Sequence, residues 1–279
     1  MADPSEIRAA FTSLVNGPEE SLDLGRAALL VAAESDPSCD VETCLGTLDA
    51  WGEELRGRVQ PGWNNLQKLA RLRAYMFEHL KFKGDHEDYY SPSNSLLNQV
   101  MQRRLGVPLT LSIVFMELGW RVGIPFEGVG FPGHFLVRLT GEPKDLLLDP
   151  YSHARSMHEE DCQAILEQIG GGDVPFTPEL VAGVSKRDML VRLLHNLKTA
   201  YLRAHDDREA LAAVDRLLLL RPGATVEVRD RGLLLYRLGE RRAAVVELER
   251  YLQLAPQAED RDAIERHLAE LRNFLASLN

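Results

Sequence analysis

No run of eighteen apolar residues occurs in the 279 residues of this chain, so no segment reads as a membrane-spanning helix and no membrane partner is expected. The first residues, Met1-Ala2-Asp3-Pro4-Ser5-Glu6, have neither the basic start nor the apolar stretch of a secretory signal. Cysteine is scarce: Cys39, Cys44 and Cys162 are too few for a disulfide framework and suit a reducing compartment, so the expected location is the cytoplasm. Cys39 and Cys44 are five apart with no second ligand pair nearby, which is not a usual zinc spacing, and all three read as small buried side chains. Positive charge is in deficit, 32 Lys and Arg against 42 Asp and Glu, for a formal charge of −10. With no concentrated basic stripe, nucleic acid is not an expected partner. Glycine-rich phosphate loops of either common pattern are missing, which removes nucleotides, and no cofactor is expected.

What is present describes an ordinary globular protein of 31.3 kDa, 45% hydrophobic and 27% charged, long enough for one large domain or two smaller ones. Apolar spacing predicts helices over Leu22–Ala33, Val41–Val59 and Trp63–Leu80, interrupted by Asp36-Pro37-Ser38 and Gln60-Pro61-Gly62. Beyond about residue 184 a repeat emerges. Positions 34 apart pair Ala210 with Ala244, Leu218 with Leu252, Pro222 with Pro256 and Leu202 with Tyr236. That is the period of tetratricopeptide helix pairs. Gly232 and Gly239 fill the second repeat's glycine positions, whereas the first has Lys198 and His205 there, and Asp262–Leu278 reads as a capping helix. The run Gly170-Gly171-Gly172 opens the connection to these repeats, which either brace the core or receive a peptide.

Between these regions lies the segment that carries chemistry. Gly106-Val107-Pro108-Leu109-Thr110-Leu111-Ser112 begins a nearly all-apolar helix that leaves through Gly123-Ile124-Pro125. Phe131-Pro132-Gly133-His134 then turns a histidine onto the start of an alternating strand, and Leu146-Leu147-Leu148-Asp149-Pro150 is a short apolar strand ending in a carboxylate. Helix start, histidine, carboxylate is the order of a Cys-His-Asp triad in transglutaminases. A helix N-terminus stabilises a thiolate, the imidazole accepts and returns a proton, and the carboxylate fixes its tautomer. Aligning Gly123-Ile124-Pro125 with that pattern sets Pro108 where the cysteine belongs. Proline suits the first turn of a helix but offers no nucleophile.

With the upstream run Gly84-Asp85-His86-Glu87-Asp88-Tyr89-Tyr90-Ser91-Pro92-Ser93-Asn94-Ser95, the chain resembles the bacterial SirB family, a transglutaminase-like core followed by tetratricopeptide repeats. The resemblance implies an α+β, mostly helical fold with a papain- or transglutaminase-like core. The expected divisions are a helical region at 1–84 packing on the core, the core at 85–183 and the repeats at 184–279. It supplies no settled activity.

Around this framework the candidate site residues are His134 and Asp149 as a retained pair. Thr110 and Ser112 are substitute nucleophiles, whose plainer role is capping or back-bonding. Asn94, Asn98 and Gln102 are candidate ligand contacts. Asn94 and Asn98 lie one helical turn apart in a helix expected over Asn94–Leu105, capped by Ser93-Asn94-Ser95. Gln102 stands six residues before Pro108, where papain-like enzymes place an oxyanion-stabilising glutamine. A metal site built on His134, Asp149, His153 and His158 lacks a tight ligand pattern, and none is expected. The leading expectation is a non-catalytic, regulatory module that binds a protein or peptide. The alternative is a hydrolase or acyl-transfer enzyme using His134 and Asp149 with a substitute nucleophile.

Overall fold

The computed structural model describes residues 3–141, 145–170 and 175–277, so residues 171–174 of the glycine-rich connection lie outside the described residues. Two compact units are present, Met1–Leu193 and Leu194–Asn279; the regions expected at 1–84 and 85–183 both fall in the first.

The first unit begins with a helix inside the expected helical region but given no bounds there, α1 (Pro4–Asn16), started by Asp3, whose side chain accepts the Ser5 amide, and by Pro4 in the first turn. Then come α2 (Leu24–Ser35), α3 (Val41–Arg56) and α4 (Asn65–Arg73). Each starts at an Asp or Asn whose carboxylate or amide oxygen accepts a backbone N–H of the first turn. The helix expected over Trp63–Leu80 starts later and changes to a π-helical turn at Ala74–His79.

Strand β1 (Lys83–Gly84) pairs in parallel with β2 (Leu105–Gly106), which brings the acidic-aromatic loop after Gly84 beside the start of the central helix. Between them lies α5 (Leu97–Arg103). Its N-cap is Leu96, without a side-chain cap, so the capping expected from Ser93-Asn94-Ser95 does not occur. Helix α6 (Pro108–Arg121) is the axis of the unit, and every residue from Pro108 to Gly119 is buried. Even Glu117 is enclosed. Its Oε1 accepts the Gly25 amide at 2.9 Å, so a carboxylate of α6 holds the first turn of α2, and its Oε2 takes Arg121 Nη1 at 2.5 Å. Burial pushes the Glu117 carboxyl up against the opposing pull of Arg121.

A five-stranded antiparallel sheet packs on α6, formed by β3 (Phe126–Val129), β4 (Leu136–Leu139), β5 (Leu146–Asp149), β6 (Arg155–Met157) and β7 (Gly183–Val184) in the order β6-β5-β4-β3-β7. The pleat sends Phe126 toward α6, where the Phe115 ring lies 5.1 Å away. A Cβ at Gly119 would stand 2.2 Å from the Phe126 ring, which explains the glycine in that helix. The other face carries Val129 and Leu136, packed with Phe131, Met157, Cys162 and Leu166 under α7 (Glu159–Gly170). Burial there pushes the Cys162 thiol up to about 11.

Helix α8 (Lys186–Arg203) contains the division between the units. The second unit continues with α9 (Asp207–Leu220), α10 (Thr225–Arg237), α11 (Arg241–Leu254) and α12 (Arg261–Ala276). The repeat is visible in the packing. Ala210 and Ala244 are both fully buried, and a Cβ at Gly232 would meet Leu248 at 2.6 Å. At the matching turn after each first helix, Gly239 has φ +80° and His205 has φ 58°. A left-handed conformation is strained for a histidine. His205→Gly is therefore expected to stabilise the protein by about 0.5–1 kcal/mol, the relief of strain exceeding the added unfolded-state entropy. Urea denaturation checks this, and a loss of stability contradicts it.

Candidate functional site

The turn before β4 is fixed by three separate devices. Gly133 adopts φ +63°, and the space its Cβ would occupy is taken by Ile169 Cδ1, 2.1 Å away. The His134 amide donates to the Phe131 carbonyl at 3.1 Å. From α8, Arg192 Nη1 donates to the Phe131 carbonyl at 3.0 Å and Nη2 to the His134 carbonyl at 2.6 Å, so one guanidinium clasps both ends of the turn. Burial pulls the Arg192 pKa down, with Tyr89 opposing. Nothing in the local sequence signals Arg192, because it lies 58 residues from His134 in an ordinary helical pattern.

The antiparallel register Val137↔Leu148 and Leu139↔Leu146 carries His134 and Asp149 to the same end of the sheet. His134 Nε2 lies 2.9 Å from Asp149 Oδ1. That oxygen also accepts the Tyr151 amide at 3.0 Å, and Oδ2 accepts the Ser152 hydroxyl at 2.7 Å. Asp149 is 3% exposed. Burial pushes its carboxyl up, but the bonds from His134, Ser152 and the Tyr151 amide outweigh it and hold the group below the usual carboxylate range. An ionised acceptor at Nε2 selects the Nε2–H tautomer and leaves Nδ1 as the lone-pair nitrogen. Among the described residues Nδ1 has no hydrogen-bond partner.

The other candidates are placed differently. Thr110 does not serve the pair. Its hydroxyl donates to the Asn94 carbonyl at 2.7 Å and accepts the Val107 amide at 3.1 Å, closing the first turn of α6 onto the preceding loop. Ser112 is fully buried and its Oγ has no hydrogen-bond partner among the described residues, so it lacks the access an attacking hydroxyl needs. Asn94 is also structural: its Nδ2 donates to the Asp88 carbonyl at 2.7 Å and its Oδ1 accepts from Arg103 at 3.0 Å. Asn98 donates to Asp36 Oδ2 at 2.7 Å. Gln102 is exposed on α5 while Val107 and Pro108 are buried. Thr110→Val is expected to cost about 1–3 kcal/mol, because a buried carbonyl and amide lose their shared partner. The mid-point of urea unfolding measures this, and an unchanged value contradicts it.

An aromatic border surrounds the pair. The Tyr151 ring lies 6.0 Å from that of His134, at 82°. It rests where a Cβ on Gly84 would sit, and its hydroxyl donates to the Asp85 carbonyl at 3.1 Å. Burial pushes the Tyr151 phenol up to about 12, so it stays neutral. Tyr89 lies 6.4 Å from Tyr151 and 5.1 Å from Tyr90. Large apolar side chains left open to solvent on the first unit are Tyr89 (38%), Tyr90 (50%), Ile169 (53%) and Leu66 (43%). Ile169 adjoins the His134 turn at Gly133, Tyr89 approaches it through Tyr151, Tyr90 follows behind Tyr89, and Leu66 lies on α4. The residues considered for a metal diverge: the His153 ring lies tilted against Phe77, 5.2 Å between centroids, and the His158 amide donates to Asp161 at 2.9 Å. Among the described residues no three His, Cys, Asp or Glu side chains gather as a metal site.

Comparison with known proteins bears on the fold and its division into regions. Residues 42–195 match the transglutaminase-like superfamily. The chain belongs to that superfamily. Residues 197–269 match the tetratricopeptide repeat. Among curated relatives, a UPF0162 protein of Xylella fastidiosa is 36% identical over 266 residues, covering 94% of this chain and 95% of that protein. A UPF0162 protein of Pseudomonas aeruginosa is 30% identical over 253 residues, covering 91% and 92%. F-box only protein 21 of Mus musculus is 29% identical over 139 residues, which span 47% of this chain and 21% of that protein. No solved structure matches. The alignments to the UPF0162 proteins thus cover nearly the whole of this transglutaminase-like chain. Tetratricopeptide repeats generally mediate protein contacts, and no described helix is long and apolar enough to cross a membrane.

Proposed function

We propose that this transglutaminase-like protein is a non-catalytic, cytoplasmic module that holds a protein or peptide partner at the face around His134, with the repeats adding contacts. Within the superfamily the narrower kinship is with the SirB family, and 1–84, 85–183 and 184–279 serve as its working divisions. The reading rests chiefly on the gathering of Tyr89, Tyr90 and Ile169 around the His134 turn. Exposed aromatic and aliphatic side chains near a partly buried polar group are the usual anchors of a peptide contact. Pro108 at the start of α6 agrees with it, since the triad order then has no nucleophile. In affinity capture from a bacterial lysate, Tyr89→Ala combined with Ile169→Ser is expected to lose the partner retained by the parent protein, with the melting temperature unchanged. Equal recovery by both proteins refutes the docking face.

One observation favours a second reading, an enzyme of hydrolytic or acyl-transfer type. His134 is oriented by a carboxylate and keeps an open Nδ1, as a general base does. Thr110 is committed and Ser112 enclosed, so the nucleophile in this reading is water or a group of the substrate. It requires His134→Ala to abolish turnover of an amide or ester while the protein stays folded.

A further inference from the structure

Away from His134, a cavity of about 730 Å³ opens between α1, α2 and the start of α3, all within the first unit. Ile7 and Ala10 line it from α1, Leu30 and Ala33 from α2, and Cys39 and Val41 from the connection into α3. Apolar walls around a volume of this size suit a small organic molecule. Neither the His134–Asp149 pair nor the repeats contribute to it.

The charges at its edge decide what kind of molecule. Among the described residues Glu6, Glu34, Asp40 and Glu42 line the cavity, against one lining cation, Arg26. Arg26 is already taken, its Nη1 lying 2.5 Å from Glu42 Oε1 and its Nη2 3.1 Å from Oε2. Arg8 stands against Glu34. Asp40 accepts the Thr43 amide as the cap of α3, and that bond holds its carboxyl below the usual range, so it stays ionised. With these pairs cancelled, Glu6 and Asp40 leave the described part of the rim negative. The thiol of Cys39 senses the same surroundings: burial first, then Cys44 and the carboxylates of Asp36 and Asp40, push it up to about 12. It is a neutral wall residue.

We propose that this cavity is a binding site for a small amphipathic amine, its apolar body between α1 and α2 and its ammonium group at the carboxylate rim. An anionic ligand of the same shape would meet uncompensated negative charge. An uncharged one would forgo the attraction.

The test uses the full chain with naphthylmethylamine, naphthylacetate and naphthylmethanol, titrated by calorimetry. The amine is expected to bind saturably, at least about tenfold more tightly than either analogue. It is also expected to slow alkylation of Cys39 by N-ethylmaleimide in a Cys44→Ser variant. Ala10 is exposed at the cavity mouth, so Ala10→Phe should fill the cavity without unfolding the protein. That variant is expected to lose amine binding while keeping the parent melting temperature. The proposal is overturned if no probe saturates, if naphthylacetate or naphthylmethanol binds as tightly as the amine, or if Ala10→Phe binds the amine undiminished.

Discussion

Pro108→Cys places a thiol at a buried helix start, and that thiol is expected to react with iodoacetamide several-fold faster at about pH 7 when His134 is present than when it is replaced by alanine. The reason is the order of elements around α6. Residue 108 is the first of the helix, where N–H groups without intrahelical partners favour a thiolate. In a triad arrangement, the Nδ1 of His134 stabilises that thiolate further. Cys39, by contrast, has its thiol pushed up to about 12 by burial, so almost none of it is ionised at neutral pH. Cysteine at position 108 adds a backbone N–H, which needs no helical partner in the first turn, so the fold should tolerate it. The decisive control is the second substitution. Adding His134→Ala to Pro108→Cys should remove most of the rate enhancement, measured by mass spectrometry of the alkylated peptide. If the rate is the same with and without His134, residue 108 is not the nucleophile position, and the case for a lost cysteine fails.

Asp149→Ala is expected to cost about 2–4 kcal/mol of folding stability. Three donors converge on this carboxylate: His134 Nε2–H, the Tyr151 amide and the Ser152 hydroxyl. Because Asp149 is almost fully buried, water cannot replace what they lose. The pH dependence has a definite sign. The folded-state pKa lies below the ordinary value of 3.8. The unfolded chain therefore binds this proton more readily, and the contribution is complete above the ordinary value. It fades as pH falls through the folded value. Asp36, held at about 2 against an ordinary 3.8, acts in the same acid window with the same sign. Urea unfolding between about pH 2 and 7 should show the parent losing stability on acidification more steeply than Asp149→Asn, with Asp36→Asn as the control. Parallel curves would contradict the assignment.

Much of this fold was legible because the decisive signals are local. Proline at the start of α6, Gly-Ile-Pro after its end and alternating residues in β4 each dictate conformation within a few positions. The 34-residue spacing likewise marks α9 to α11 through alanines that must be small to let helices touch. What escaped was set at a distance. The bounds of the early helix α1 needed recognition of Asp3-Pro4 as a start signal, and the π-helical turn at Ala74–His79 has no simple sequence mark. In the site, the His134–Asp149 contact follows from strand register. The engagement of Thr110 by Asn94, the Asp36 contact of Asn98 and the grip of Arg192 all join residues far apart in the chain. Asparagine near a helix start suggested capping or ligand contact, and neither local rule foresaw Asn94 bonded to Asp88 and Arg103.

The close seat of Ile169 over Gly133 sets apart the demands on two adjacent positions. A side chain at position 133 faces both a left-handed backbone and the end of Ile169, so any residue but glycine is strained there. His134 is under no comparable steric demand. It is held instead by its bond to the buried Asp149 carboxylate, so its loss also costs stability. The glycine at 133 therefore serves the turn alone, whereas the histidine beside it serves both the buried carboxylate and any chemistry of the ring.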